Sequence, residues 1–286
     1  MSAESNLRLG IPSKGRLSEL ACQLLNEAGL SFRRQDRSLF ARVREVAVDV
    51  TFLRTDDIPL LCAEGAIDMG ITGSDLMAES GADIQTRLKL GVGRCRLAVC
   101  IPEDSRIEAP KRLDGCRIAT SFQRVTESYL KNLGCQAHMV PITGSVEVMI
   151  SLGVADAIVD LVETGSTLAA NKLRILADIG QYETILVQNH RNRHAELADR
   201  VVRRLEGVVI ARAYSLLEYN VPRTKLADAE KITPGFNSPT VSGLENPDWC
   251  AVKVMVPKRD VISAMEQLEE LGAHAILETK IANCRL

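Results

Sequence analysis

The sequence is poor in aromatic residues and has no excess of either charge. Phenylalanine, tryptophan and tyrosine make up 3% of the 286 residues, too few for the stacking platforms that bind single-stranded nucleic acids. The 35 lysines and arginines are balanced by 37 aspartates and glutamates, whereas nucleic-acid-binding proteins usually carry a strong basic excess. We therefore expect no nucleic-acid partner, although local basic pockets for small phosphorylated ligands stay compatible with this composition.

Long apolar runs and paired cysteines are also missing. No apolar stretch approaches the roughly 20 residues that span a bilayer, so we expect no membrane anchor. The N-terminal segment has no basic stretch followed by an apolar one, so we expect no signal peptide. The eight cysteines are scattered singly without a C-x-x-C pair, which is typical of reduced thiols in a cytoplasmic protein. The hydrophobic fraction of 46% is enough for the cores of two or three domains.

Short apolar segments alternate with polar loops and helical patterns over residues 7–171. The predicted strands are Leu7–Ile11, Val46–Leu53, Ala66–Thr72, Arg96–Ile101, Arg117–Thr120, Met139–Ile142 and Ala157–Leu161. This alternation predicts an α/β fold with mostly parallel sheets, because parallel strands need long crossover connections. Such sheets bind ligands at the carboxyl ends of their strands, where the loops at 14–16, 73–75 and 163–167 fall.

Residues 207–286 have a different pattern. Strands are predicted at Val208–Ala213 continuing into Leu216–Tyr219, at Ser238–Gly243, at Cys250–Val256 and at Ala273–Thr279, with helices at 222–231 and 259–271. The order βαββαβ is the ferredoxin-like arrangement. We therefore expect a small, separate C-terminal domain.

The strongest chemical signal is the segment Asp156–Leu168. An apolar strand places Asp156 and Asp160 at its two ends, and the loop 163–167 (ETGST) then opens a helix. Such a loop offers backbone N–H groups, hydroxyls and the positive end of the helix dipole to a phosphate. The carboxylates before it can accept hydrogen bonds from ribose hydroxyls. The pattern favours a ribose 5-phosphate site, and an ordinary capped helix after a buried strand is the alternative.

Charged side chains at other strand ends are weaker signals. Lys14 and Arg16 supply a point charge and a bidentate fork to phosphate, but a solvated turn has the same composition. Asp75 follows an apolar strand, and a helix N-cap would explain it as well. Arg54 is compatible with a surface ion pair, and Glu147 with a solvated residue in the first turn of a helix.

The order and spacing of these segments resemble the long form of ATP phosphoribosyltransferase, the first enzyme of histidine biosynthesis. The matching segments extend over essentially the whole chain: Ile11–Leu17, Asp57–Pro59, Gly70–Asp75, Gly93–Leu97, Gly144–Val148, Gly153–Leu168, Thr233–Ser242 and Gly272–Leu277. The block from Gly144 to Leu168 is the most specific. An extra residue, Ser13, precedes Lys14 where many relatives have Pro-Lys-Gly-Arg.

The resemblance implies two periplasmic-binding-protein-like α/β domains that form a catalytic cleft, and a C-terminal ferredoxin-like regulatory domain. The expected first domain comprises residues 1–95 and 180–206. The expected second domain comprises residues 96–179 and carries the loop for phosphoribosyl pyrophosphate, and residues 207–286 form the histidine-binding domain. The resemblance also implies a cytoplasmic homo-oligomer, in which dimers assemble into hexamers.

The same resemblance implies transfer of the 5-phosphoribosyl group from 5-phosphoribosyl 1-pyrophosphate to N1 of ATP. Mg²⁺ would be held mainly by the pyrophosphate, with its protein ligands unassigned, and L-histidine would be the feedback inhibitor. The implied catalytic residues are Lys14, Arg16 and Glu147, and the implied ATP contacts are Arg16, Arg54 and Asp75. The implied contacts of phosphoribosyl pyrophosphate are Asp156, Asp160, Glu163, Thr164, Gly165, Ser166, Thr167 and Leu168. The implied histidine contacts are Asn220, Phe236, Thr240 and Ala275.

Two alternatives keep the fold without the reaction. The first is a solute-binding or sensor domain, which the missing export signal and the detailed match of the 163–167 loop disfavour. The second is a catalytically silent regulatory subunit. The presence of Asp156, Asp160, Thr164, Gly165 and Thr167 disfavours that subunit, because a silent chain has no need of the substrate contacts.

Overall fold

The computed structural model describes residues 6–35, 38–163 and 165–285, which form three β-sheets with helices around them. These residues divide into two compact units. One unit holds the described residues up to Gln23 together with residues 30–199, and the other holds residues 24–29 and the described residues from Arg200 onward. Within these ranges, no helix combines the length and the apolar character that crossing a membrane requires. All eight cysteines are free thiols.

The larger unit contains two sheets. The elements of its first part are β1 (Leu7–Pro12), α1 (Gly15–Glu27), β2 (Phe40–Arg42), β3 (Val48–Leu53), α2 (Ile58–Ala63), β4 (Met69–Gly73), α3 (Ser74–Ser80) and β5 (Gln85–Lys89). The elements that follow are β6 (Cys95–Pro102), β7 (Arg117–Thr120), α4 (Gln123–Leu133), β8 (His138–Pro141), α5 (Val148–Ser151), β9 (Ala157–Val162), α6 (Ser166–Ala170), β10 (Leu173–Tyr182) and β11 (Thr184–Gln188).

The first sheet has the strand order β2-β3-β1-β4-β11-β5, and the second has the order β10-β6-β9-β7-β8. Strands β1, β3 and β4 are parallel to one another, as are β7, β8 and β9. The remaining pairings are antiparallel, so the expectation of mostly parallel sheets is wrong and both sheets are mixed. The chain passes from β5 to β6 and from β10 to β11 without a helix between them. These two connections join the first sheet to the second.

The central strands are apolar because both of their faces are covered. Leu7, Leu9 and Ile11 of β1 are completely buried, and so are residues 157–159 of β9. Buried parallel strands are expected to be apolar along their length, rather than alternating. The predicted α/β class is confirmed, and the parallel strands bring the predicted loops to the carboxyl edges of the two sheets.

The smaller unit contains the third sheet. Its elements after the preceding α7 (Ala195–Ala213) are β12 (Tyr214–Pro222), α8 (Leu226–Ile232), β13 (Thr240–Gly243), β14 (Trp249–Pro257), α9 (Val261–Leu271) and β15 (His274–Lys280). The four strands are antiparallel in the order β13-β14-β12-β15. Residues Leu217 and Tyr219 of β12 pack with Ala264 and Leu268 of α9 in a core of their own. The predicted βαββαβ order is therefore confirmed.

One strand prediction in this region is wrong. Val208–Ala213 is the end of α7 rather than a strand. The β-branched run at 208–210 favours a strand locally, but the buried residues of α7 recur every three or four positions. They are Ala198, Val201, Leu205, Val208 and Ala211. This spacing buries one face of a helix, so tertiary packing overrides the local preference.

Candidate active site

Asp75 forms one wall of the candidate site. It lies in the first turn of α3, directly after β4, and its carboxylate folds back so closely over Gly73 that a side chain at 73 would collide with it. The residue is 6% exposed. Burial raises the pKa of this carboxyl, and backbone hydrogen bonds near Leu76 oppose the rise only partly. The first sheet therefore presents a desolvated carboxylate at its carboxyl edge.

Arg16 and Glu163 connect the edges of the two sheets. Arg16 lies in the first turn of α1 and Glu163 follows β9, and Nη1 of Arg16 donates to Oε2 of Glu163 at 2.8 Å. Both side chains are more than half exposed, at 71% and 54%. Exposed ion pairs contribute about 0–1 kcal/mol, so this pair can open at little cost.

Arg16, Asp75 and Glu163 line one pocket of about 350 Å³. Its remaining wall is mainly apolar and consists of Leu17, Leu20, Gly73, Leu76, Gly93, Cys95, Leu161 and Thr184. A pocket of this size with a few convergent polar groups is typical of a small-molecule site. The structure thus brings together three of the residues predicted from the sequence. The apolar wall was not predicted; its Leu161 is 37% exposed, whereas residues 157–159 of the same strand are completely buried.

Asp160, on β9, and Glu147, which directly precedes α5, lie within electrostatic reach of each other. Asp160 is near the carboxyl end of β9 and accepts a hydrogen bond from the N–H of Leu161 at 2.8 Å. Burial, together with the negative charge of Glu147, raises the pKa of the Asp160 carboxyl. None of the ion pairs among the described residues includes Asp160. It is not among the residues that line the pocket.

Asp156 is not brought together with Asp160 and the loop. It precedes β9 at the opposite end and accepts hydrogen bonds from Arg117, from the backbone N–H at 2.9 Å, from Nε at 3.2 Å and from Nη2 at 2.8 Å. These bonds hold the pKa of Asp156 below its usual range. Four residue steps along an extended chain separate the two aspartates by about 13 Å, too far for one ribose to bridge. In the structure, Asp156 is the partner of Arg117.

The loop after Glu163 turns through Gly165. Gly165 has a φ of +79°, a left-handed conformation that glycine adopts without strain, and it directly precedes α6. Ser166 and Thr167 are exposed in the first turn of α6, whereas Thr164 lies outside the described residues. Leu168 is 8% exposed and packs in the core of the second sheet. This buried side chain holds the loop against the core of the second sheet.

Lys14 and Arg54 lie at the carboxyl edge of the first sheet but do not line the pocket. Lys14 follows β1 and Arg54 follows β3, and both side chains are exposed. Because β1, β3 and β4 are parallel neighbours, these two cations end at the same edge as Asp75.

The four predicted effector residues are not gathered in one cavity. Phe236 is 50% exposed, its ring lies 5.4 Å from that of Tyr214, and it lines a cavity of about 530 Å³. Ala275 has a φ of +52° and lines a different cavity of about 500 Å³. Asn220 lies on β12 and Thr240 opens β13, and neither lines these cavities.

Comparisons with known proteins agree with this architecture. The ATP phosphoribosyltransferase family model matches residues 54–207, and the model for the C-terminal domain of that family matches residues 211–283. A relative from Rhodopirellula baltica named ATP phosphoribosyltransferase is 65% identical, over 99% of this chain and 95% of its own length. One from Corynebacterium kroppenstedtii with the same name is 40% identical, over 98% of this chain and 99% of its own.

A solved structure agrees as well. The ATP phosphoribosyl transferase (HisG:HisZ) complex from Thermotoga maritima contains a chain that is 30% identical and superposes with a TM-score of 0.63. The superposition covers 71% of this chain and 97% of that one. With both family models matched in order and the identity extending over almost the whole length, this chain belongs to the ATP phosphoribosyltransferase family, in the form that carries the additional C-terminal domain.

Proposed function

We propose that the pocket between Arg16, Asp75 and Glu163 is where this enzyme joins its two substrates. The reaction transfers the 5-phosphoribosyl group from 5-phosphoribosyl 1-pyrophosphate to N1 of ATP and releases pyrophosphate, as the first step of histidine biosynthesis. The observation that carries the assignment is that the edges of two sheets meet at one pocket, with Arg16 and Asp75 from the first sheet's side and Glu163 from the second. Two substrates can thus be held against each other, one on each wall, which removes much of the entropic barrier.

The chemistry needs orientation and charge stabilisation rather than a strong base. Adenine N1 has a free lone pair and carries no proton at pH 7, so it is already a nucleophile. The difficult event is departure of pyrophosphate from C1, which leaves positive charge on the ribosyl ring. Carboxylates such as Asp160 and Glu147 on the second sheet stabilise that charge, and Arg16 and Lys14 orient the phosphates.

The loop at 163–168 is the proposed cradle for the 5-phosphate. Backbone N–H groups from Gly165 onward and the hydroxyls of Ser166 and Thr167 are suited to phosphate oxygens, and Thr164 belongs to the same set. Asp160 accepts hydrogen bonds from the ribose hydroxyls, whereas Asp156 accepts hydrogen bonds from Arg117 and belongs to the framework. Arg54 and Asp75 belong to the ATP side. The ion pair between Arg16 and Glu163 opens when a substrate phosphate takes the place of the Glu163 carboxylate.

Mg²⁺ is the proposed metal and enters with the pyrophosphate. Among the described residues, no group of three or more His, Cys, Asp or Glu side chains is arranged to hold a metal ion. The carboxylates of Asp75 and Glu163 still fit this ion, because Mg²⁺ prefers oxygen ligands and often uses one or two carboxylates together with substrate phosphates. Its chemical contribution is to neutralise charge on the departing pyrophosphate.

The C-terminal domain is the proposed receptor for L-histidine. Asn220, Phe236, Thr240 and Ala275 are the proposed contacts, and the domain boundaries are 1–95 with 180–206, 96–179 and 207–286. Feedback by an end product requires two states of different substrate affinity, coupled by about 1–3 kcal/mol in typical cases. We place the enzyme in the cytoplasm as a homo-oligomer of dimers that form hexamers.

The test is a steady-state assay with ATP, 5-phosphoribosyl 1-pyrophosphate and Mg²⁺, followed by the ultraviolet absorbance of N1-ribosylated ATP. Pyrophosphatase is added to pull the equilibrium toward product. We expect turnover that histidine suppresses. Turnover that ignores histidine would leave the reaction in place and make the C-terminal domain an assembly element. A folded sample without turnover would favour a solute-binding or silent regulatory protein.

A further inference from the structure

Glu79 connects the first sheet to the second through two hydrogen bonds. It lies in the last turn of α3 and is half-buried. Its Oε1 accepts from the backbone N–H of Arg124 at 2.9 Å, and its Oε2 accepts from that of Val125 at 3.0 Å. Both N–H groups belong to the first turn of α4, whose N-cap residue Phe122 provides no side-chain cap. Glu79 therefore satisfies donors that α4 cannot satisfy within its own sequence.

The packing around these bonds is close. Gly81 ends α3 in a left-handed conformation with a φ of +61°. The guanidinium group of Arg124 lies against Gly81, in space that a side chain at 81 would need. A negative charge at a helix N-terminus is also favoured by the helix dipole. The end of α3 and the start of α4 are thus fitted to each other by shape, hydrogen bonding and charge.

Each of the two helices leads to one wall of the pocket. Helix α3 carries Asp75 one turn before Glu79, so the same short helix places both carboxylates. Helix α4 is tied to the second sheet through Thr120, whose Oγ1 accepts from the N–H of Phe122 at 2.9 Å and donates to the carbonyl of Val159 at 2.8 Å. Val159 is on β9, the strand that carries Asp160 and leads to the loop of Glu163.

We propose that Glu79 is a positioning residue for the reaction. By capping α4 it fixes the separation between the wall that carries Asp75 and the wall that carries Leu161 and Glu163. The inference rests on the proposed function, because it assumes that one substrate contacts each wall. Glu79 does not line the pocket, so we expect its loss to weaken the capture of both substrates more than it slows the chemical step.

The test compares Glu79→Gln with Glu127→Gln. The first change removes the charge, and its amide can accept from only one of the two N–H groups. Loss of one hydrogen bond of ordinary strength predicts a rise of about fivefold in KM for both substrates, with kcat within about twofold of the starting enzyme. Glu127 is an exposed residue of α4 that accepts from Gln123, so its variant controls for the loss of one negative charge near the start of α4. We expect its KM values to stay unchanged.

Hydrogen exchange supplies a readout that does not depend on turnover. In the substrate-free protein, Glu79→Gln should speed amide exchange at residues 124–125 and also at residues 160–163. Faster exchange confined to 124–125, or unchanged KM values, would overturn the positioning role and leave a local helix cap. Absence of turnover in the unmodified protein would instead contradict the proposed function, and the exchange data would still decide on Glu79. Glu79→Asp keeps the charge but shortens the reach, and an intermediate KM is expected.

Discussion

The two ends of β9 carry the same residue type in opposite electrostatic settings. At the start of the strand, Asp156 accepts three hydrogen bonds from Arg117 and its pKa is lowered. Near the end, Asp160 accepts one backbone bond, lies near the negative Glu147, and its pKa is raised. The charge on Asp156 therefore stabilises the fold, whereas the charge on Asp160 is held at an energetic cost.

Such a cost is expected where a protein keeps a charge for a ligand. A carboxylate that is desolvated and near a like charge is stabilised when a substrate supplies donors or positive charge. Asp75 has the same character on the first sheet, since burial raises its pKa as well. The contrast along β9 thus separates the carboxylates of the pocket region from the carboxylate that belongs to the framework.

The largest expected effect is the difference in kcat/KM between the variants Asp160→Asn and Asp156→Asn. We expect Asp160→Asn to lower kcat/KM by about 100-fold, because a charged acceptor for the ribose hydroxyls is lost together with its stabilisation of the ribosyl cation. Asp156→Asn, directly before the same strand, is the matched control and should keep kcat/KM within about threefold. Steady-state kinetics with both substrates varied measures this. Equal losses in the two variants would remove the distinction between the two ends.

The same two variants should shift stability in opposite directions. The folded pKa of Asp160 is raised, so its contribution to stability is present below about pH 4 and is lost as pH rises through the folded pKa. Asp160→Asn should therefore melt at a higher temperature than the parent at pH 7, and the gain should vanish below about pH 4. This trade of stability for function is common at binding sites.

Asp156→Asn should behave in the opposite way. The folded pKa of Asp156 is lowered, so its contribution is present above about pH 4 and is lost as pH falls through the folded pKa. The variant should melt at a lower temperature at pH 7, and the deficit should shrink under more acidic conditions. Thermal melts followed by circular dichroism at pH 7 and below about pH 4 measure the change in melting temperature of both variants. Shifts of the same sign at pH 7 would contradict the contrast.

The sequence predicts that both aspartates flank a strand, but it does not reveal their partners. Arg117 contacts Asp156 because β7 pairs in parallel with β9, with Ile118 opposite Ala157. That register is set by long-range packing across 39 residues of chain and leaves no local signal. The loops at the carboxyl edges of the sheets were predictable because the order of strand, loop and helix follows from the local sequence pattern. The pairing of Arg16 with Glu163, 147 residues apart, was not.

The end of helix α7 is a second feature that the local sequence pattern did not predict. Val208–Ala213 has the composition of a strand, and only the burial of every third or fourth residue from Ala198 onward identifies a helix. The alternation of elements and the βαββαβ order were predictable because each depends on local periodicity. The direction of β6 and β11 was not, since it depends on which strands they meet in space.

The smallest expected effect concerns the ion pair at the loop end. Glu163→Gln should change the free energy of unfolding by less than about 0.5 kcal/mol, because Arg16 and Glu163 are largely exposed and share one hydrogen bond. Urea unfolding at low and high salt measures this, and salt should have little influence on the difference. Arg117→Gln is the control, and it should lower stability more, since Arg117 also bonds the carbonyl of Gly153 at 2.8 Å. A larger loss in Glu163→Gln would mean that its ion pair is a fixed part of the framework. Arg16 would then not leave Glu163 for a substrate phosphate at little cost. The contrast between the two ends of β9 would rest on Asp156 and Asp160 alone.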